Sequence, residues 1–163
     1  MIRDLNFENP TAQDSEWRTR VEETPEPGVQ NYLSRTVTEA AVPDLQPFRD
    51  TSAYRYTAHY VVAGQRFVHE NVIIKVMRFL TVTSSQHDPM DSAPPSKDDL
   101  KALDPSGAYV VEACVRVEDR GTVGGPLTEQ ATRELMEVKK MLDGAVDLRA
   151  PDRLSLDTRV RDA

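Results

Sequence analysis

Few residues of this sequence could carry catalytic chemistry: His59, His69 with the neighbouring Glu70, and a single cysteine, Cys114. A histidine near a carboxylate can act as a general base when a nucleophile lies within reach. No nucleophile or oxyanion-binding loop accompanies these histidines, and the sequence shows no basic residue placed to activate the thiol. We therefore expect a protein that is not an enzyme, with Cys114 as a buried, inert side chain.

Cofactor chemistry is not favoured either. One cysteine leaves no CxxC zinc site, and three histidines in the whole chain do not favour a histidine-rich metal site. The glycines before Pro126 do not form a phosphate-binding loop, because no lysine follows and Pro126 lacks a backbone donor. The sequence predicts no metal and no cofactor.

Charge and hydropathy limit the possible partners. The 163 residues include 20 Lys and Arg against 27 Asp and Glu, a net charge of −7. This argues against binding of nucleic acid or anionic membrane by the whole chain, but not against a local basic patch. No window approaches the roughly 18 apolar residues of a membrane span. We expect a soluble protein of the cell interior with no membrane partner.

The sequence predicts one domain in three parts. Residues 1–50 form an acidic, proline-rich N-terminal arm or hairpin, with ten acidic residues against five arginines and a possible strand within Tyr32–Val42. Residues 51–146 form a sheet-and-helix core that contains a long loop, residues 84–107. Residues 147–163 form a C-terminal tail.

Strand and helix patterns define the core. Two runs rich in β-branched and aromatic residues flank Ala63-Gly64-Gln65, which predicts a hairpin turn. A third run, "AYVVEACVRVED", alternates apolar and mixed positions. Thr128–Asp143 is predicted to be an amphipathic helix capped by Thr128 and closed by Gly144. The expected fold is α+β, an antiparallel sheet of about five strands with an N-terminal arm or hairpin and a C-terminal helix.

One helix of about four turns spans roughly 10 Å by 24 Å, which is too little to cover such a sheet. An exposed apolar patch of this size indicates an interface. We therefore expect a second copy to complete and cover the sheet as a symmetric homodimer.

The order of these elements resembles that of the coat proteins of small single-stranded RNA bacteriophages, the levivirus-like capsid proteins. The resemblance covers about residues 52–144 and is carried by Ala53-Tyr54-Arg55, Ile74-Lys75-Val76 and Leu142-Asp143-Gly144. It implies interlocked dimers that self-assemble into an icosahedral shell, a virion or virus-like particle, around single-stranded genomic RNA. It also implies assembly in the bacterial host cytoplasm.

The resemblance assigns roles to both sheet faces. Arg55, Thr57, His59 and Lys75 would face the RNA, and residues 53–82 hold four cationic residues against one acidic residue. The dimer or core face would comprise Tyr54, Tyr56, Tyr60, Val72, Ile74, Tyr109, Val111, Val115, Leu127, Ala131, Leu135, Val138 and Leu142. Two other functions stay open from sequence. One is a tail, neck or other assembly component of a DNA phage, and the other is a small dimeric α+β enzyme or ligand-binding roll.

Overall fold

The structure is a computed structural model, and it describes residues 1–5, 16–27, 31–49, 58–83, 95–118 and 125–156. Every strand ladder it contains is antiparallel, and a long helix follows the last strand, so the predicted α+β class is confirmed. The elements are β1 (Arg18–Glu22), β2 (Val37–Ala41), α1 (Gln46–Arg49), β3 (Tyr60–His69), β4 (Val72–Val82), β5 (Leu100–Ala102), β6 (Val110–Val115) and α2 (Pro126–Met141), with 3₁₀ turns at Lys97–Asp99 and Arg153–Leu156.

The β3–β4 hairpin turns at a different place from the one predicted. β3 runs without a break through Ala63-Gly64-Gln65, and the chain reverses at Glu70 and Asn71 instead. Glu70 has a φ of 53°, the left-handed conformation that a two-residue hairpin turn requires. The turn expected at residues 63–65 was therefore wrong, and the ladder pairs ten residues, from Tyr60 with Thr81 to His69 with Val72.

Gly64 serves close packing rather than a turn. A Cβ atom at this position would clash with the Val76 carbonyl oxygen and lie 2.7 Å from the Met77 Cα. Glycine inside a strand marks such close approaches of a neighbouring backbone as well as turns, and sequence alone does not separate the two.

β4 is the central strand of the larger sheet. β3 occupies one of its edges, while β5 and β6 share the other, β5 opposite Leu80–Val82 and β6 opposite Val72–Met77. β5 lies within the predicted 84–107 loop, so the end of that loop adds a short strand to the sheet. Residues 84–94 of the loop lie outside the described residues.

The helix α2 begins two residues before the predicted start. Gly125 precedes it, Pro126 occupies its first turn, and no side chain caps its N-terminus, so the cap predicted at Thr128 was wrong. Proline suits the first helical position because its fixed φ is helical and its missing N–H would have no partner there. Beyond the helix, Gly144 adopts a φ of 82°.

Two compact units are distinguished within the chain. One contains the described parts of residues 1–59, 84–99 and 149–163, and the other contains those of residues 60–83 and 100–148. The first includes the β1–β2 hairpin and a hydrogen bond that Arg153 donates to the Pro25 carbonyl oxygen. This division does not test the boundaries predicted at residues 50 and 146 or the prediction of a single domain. Both stay predictions.

Candidate functional site

The described residues bury few apolar side chains. Apart from prolines, Val72 on β4 and Val138 on α2 are the fully buried ones, each 1% exposed. Because α2 contacts β4 and β6, we place the helix over the face of the sheet that carries Val72. Much of the sheet surface is thus left without cover within the described part of the chain.

The strand register divides the sheet into two faces. The face that includes Val72 also carries Ile74, Val76, Val111, Ala113 and Val115. We call the opposite one the Lys75 face, which comprises Tyr60, Val62, Gly64, Arg66, Val68, Ile73, Lys75, Met77, Phe79, Thr81, Lys101, Val110, Glu112 and Cys114. On it, Tyr60 is 60% exposed and packs edge-on against the Phe79 ring, and Val68 is 61% exposed. The Lys75 face is therefore the candidate functional surface.

A row of charges crosses this face. Arg66, Lys75 and Glu112 occupy directly opposed positions on β3, β4 and β6. The Lys75 Nζ lies 2.6 Å from a Glu112 carboxylate oxygen, so Glu112 neutralises the lysine. Arg66 is exposed and lies opposite Lys75 on the neighbouring strand.

The predicted RNA-facing residues are not seen as a cluster. Arg55 and Thr57 lie outside the described residues, and His59 precedes β3 at a half-buried position. Lys75 is on the sheet, in the ion pair with Glu112. No contact of the described residues tests a nucleic-acid role for these four side chains, which stays a prediction.

The residues predicted for the dimer or core face do not all lie on one face of the sheet. Tyr54 and Tyr56 lie outside the described residues. Val72, Ile74, Val111 and Val115 share one face of the sheet and Tyr60 lies on the other, because the turn at Glu70 and Asn71 sets the pairing register. The Tyr109 ring lies 5.4 Å from the Arg78 guanidinium carbon. On α2, Val138 is buried, Ala131 and Leu135 are half-buried and Leu127 is exposed, while Leu142, directly after the helix, is half-buried.

The Cys114 thiol lies half-buried on β6. Burial raises the pKa of the Cys114 thiol, and the nearby Glu112 carboxylate adds to the rise, so the thiol is protonated at neutral pH. Within the described ranges, no group of three or more metal-ligating side chains is present. No helix in those ranges combines the length and apolar character needed to cross a bilayer.

Sequence reasoning missed the contact that fixes α2 to the hairpin turn. The Asn71 amide donates hydrogen bonds of 3.0 and 2.9 Å to the Glu134 carboxylate oxygens, and the Gln130 amide donates another of 2.8 Å. Nothing in the sequence around Asn71 indicates that its amide pairs with the Glu134 carboxylate.

These hydrogen bonds lower the pKa of Glu134, the one from Gln130 most strongly and those from Asn71 next. We expect Asn71→Ala to return the Glu134 pKa toward its ordinary value, measured by NMR titration of the side-chain carboxyl. A depressed pKa stabilises the fold above the pKa of the unfolded chain, and this contribution is lost as pH falls through the folded value. Asn71→Ala should therefore weaken the pH dependence of stability in the acid range. An unchanged Glu134 titration would contradict the role of Asn71.

The β1–β2 hairpin carries a ladder of alternating charges. Arg20 contacts Glu22 and, at 2.7 Å, Glu39, and the Arg18 guanidinium lies 3.9 Å from Glu39. The ladder continues from Arg18 to Asp4 and from Glu22 to Arg35. Burial opposes the charged form of Arg20, but the two carboxylates outweigh it and raise its pKa above the ordinary value. The ladder balances three cations with three anions, so it is a structural element rather than a site for a charged ligand.

The geometry thus defines a sheet scaffold with a broad exposed surface. A family model described as "Med18 protein" matches residues 2–159 of this sequence. The chain therefore belongs to the Med18 protein family.

Curated relatives and a solved structure agree with the family match. "Mediator of RNA polymerase II transcription subunit 18" of Coccidioides immitis is 31% identical over 152 residues, covering 89% of this chain and 55% of the relative. The Aspergillus oryzae protein of the same name is 29% identical over 164 residues, covering 96% and 59%. This chain thus spans little more than half the length of these relatives.

The fold is shared with a chain in the "Structure of the Schizosaccharomyces pombe Mediator head module". The TM-score is 0.67 at 17% identity, and the match covers 86% of this chain and 66% of that chain. At this identity the likeness concerns the fold.

These findings correct the phage interpretation. The resemblance to levivirus-like coat proteins was wrong, as were the capsid function and the partners inferred from it, a homodimer in an icosahedral shell and packaged genomic RNA. The location in a virion assembled in a bacterial cytoplasm was also wrong, because the relatives are fungal transcription subunits. A DNA-phage assembly component and a dimeric enzyme or ligand-binding roll do not fit the family either.

Proposed function

We propose that this chain is a non-enzymatic subunit of a Mediator-type assembly in the nucleus, acting in transcription by RNA polymerase II. The family match and the names of its curated relatives support this proposal. The shared fold with a chain of a Mediator head module is consistent with the same role.

The observation that carries the proposal is the open sheet. Val72 and Val138 are the fully buried apolar side chains other than proline in the described residues, while Tyr60, Val62, Val68 and Val110 are about half exposed or more. Exposed apolar area of this extent marks a surface that other polypeptides cover. We propose that other subunits of an assembly, instead of an identical copy, contact this surface.

A scaffold role also suits the chemistry of the surface. The Lys75 face combines apolar side chains with the Lys75–Glu112 ion pair, and its thiol is protonated. Apolar contacts with a few polar positions supply affinity and orientation between proteins. We infer that the subunit contributes by holding partner chains rather than by a reaction of its own.

Expressing a tagged copy of the chain in the organism that encodes it and isolating it from nuclei at moderate salt tests this function. We expect it to co-purify with the other Mediator subunits and with RNA polymerase II, identified by mass spectrometry, while an untagged strain yields none of them. Recovery of the folded chain at the mass of a single polypeptide, without these proteins, would contradict the proposal.

A further inference from the structure

Ser96 presents an exposed side chain immediately before the 3₁₀ turn Lys97–Asp99. Its Oγ accepts a hydrogen bond of 3.3 Å from the Asp98 backbone N–H, and its carbonyl oxygen accepts one of 3.1 Å from the Asp99 backbone N–H. The hydroxyl therefore lies at the surface, and these contacts are local ones within a single turn.

Two carboxylates follow this hydroxyl at short spacing. Asp98 is the second residue after Ser96 and is exposed, and Asp99 is the third and is half-buried. Protein kinases select substrates partly by charge, and an acidophilic serine kinase binds such carboxylates in a basic part of its cleft. The other serines in the described part of the chain lack an acidic residue three positions later; they are Ser34, Ser106 and Ser155. Ser96 thus has the charge pattern that this class of kinase recognises.

The structure distinguishes Ser96 from a threonine with a similar pattern. Thr36 is also followed by an acidic residue three positions later, Glu39, but β2 begins directly after Thr36 and pairs with β1 along five residues. The Glu39 carboxylate lies 2.7 Å from the Arg20 guanidinium and 3.9 Å from that of Arg18. A kinase would have to separate this ladder and compete with two arginines for the carboxylate, so Thr36 is disfavoured.

The segment around Ser96 is held by less structure. A folded segment must open locally before it can lie extended in a kinase cleft. After the turn, β5 is three residues long and pairs with Leu80–Val82 of β4. Opening therefore breaks one turn and a short ladder, and such structure opens more often than a long ladder does. Exposure, charge pattern and weak local structure coincide at Ser96.

We propose that Ser96 is a phosphorylation site for an acidophilic serine kinase. The Ser96 Oγ attacks the γ-phosphorus of Mg²⁺-bound ATP, and a new O–P bond forms as the bond to the β–γ bridging oxygen breaks. ADP leaves, and the hydroxyl proton passes to the catalytic aspartate of the kinase. Within residues 96–101 two lysines balance two aspartates, so the phosphate changes a neutral segment to one with a charge of about −2. The inference does not depend on the proposed function.

Phosphorylation of the full, folded chain by purified casein kinase 2, an acidophilic kinase, with Mg²⁺ and ATP tests this inference. We expect Ser96 to be phosphorylated first, as located by mass spectrometry of proteolytic peptides. Ser96→Ala should remove most of the initial incorporation. Ser106→Ala is the matched control, because Ser106 is exposed in the same loop, and it should leave the initial rate unchanged.

A second pair of variants tests charge recognition. Asp99→Asn keeps the size of the side chain and should lower kcat/KM for Ser96 about tenfold, because a charged contact with the kinase is lost. Asp104→Asn removes the same charge from the same loop beyond β5 and should leave kcat/KM unchanged. Circular dichroism should show that these variants keep the wild-type fold.

Incorporation that is unaffected by Ser96→Ala, or that mass spectrometry places first at another residue, would overturn the inference. The absence of incorporation into the folded chain would do the same, as would equal kcat/KM for the wild type and Asp99→Asn. None of these outcomes bears on co-purification with Mediator subunits, so this inference and the proposed function fail separately.

Discussion

Val138→Asp is expected to unfold the sheet-and-helix unit. Val138 is 1% exposed on α2, which contacts β4 and β6, so the substitution removes a buried apolar side chain and places an unpaired carboxylate in its site. The two effects together should cost about 3–5 kcal/mol, a large part of the stability of a small domain. Urea unfolding followed by circular dichroism measures the change.

Met141→Asp is the matched control, because Met141 occupies the same helix at 61% exposure. It should change stability by no more than about 0.5 kcal/mol. Comparable losses in the two variants would show that the effect comes from helix propensity rather than burial, and the assignment of Val138 to the core would then be wrong.

The second large effect is expected for Gly64→Ala. The added Cβ would clash with the Val76 carbonyl oxygen, a backbone atom, so side-chain rotation cannot relieve the contact. The β3–β4 ladder must therefore separate locally, at a cost of about 3 kcal/mol. Thermal unfolding should show the loss, and hydrogen exchange should show weaker protection of amides on both sides of the position.

Gln65→Ala serves as the control for this prediction. Gln65 is the adjacent strand residue, is exposed and pairs with Val76 in the same ladder. Its substitution should be nearly neutral, since surface changes are usually within about 0.5 kcal/mol. A Gly64→Ala variant as stable as the wild type would mean that the strands are farther apart here than the structure places them.

Much of the fold could be predicted from local patterns. The alternation in residues 110–115 and the apolar repeat that includes Leu135 and Val138 predicted a strand followed by a helix, and both are present. The position of the hairpin turn could not be predicted this way. Gly64 satisfies the pattern of a turn and that of a close strand contact, and the choice depends on the Val76 carbonyl, which is 12 residues away.

The surface chemistry was harder to predict. A local excess of cations around Lys75 suggested an RNA-binding face, but Glu112 lies far along the sequence and neutralises that lysine across the sheet. The elements that resembled phage coat proteins are short segments. Their order is compatible with more than one fold in which a helix follows an antiparallel sheet. The family match extends over residues 2–159, whereas an argument from local periodicity uses only a few neighbouring residues at a time.

β5 and β6 share the edge of β4 that lies opposite β3, and this arrangement has a consequence for self-association. On that side, three residues of β5 and six of β6 are separated by the seven-residue connection from Leu103 to Tyr109. Among the described strands, the sheet therefore has one continuous edge and one interrupted edge. Stacking of identical molecules into fibrils needs two matching edges, so we expect these described strands not to propagate into a fibril.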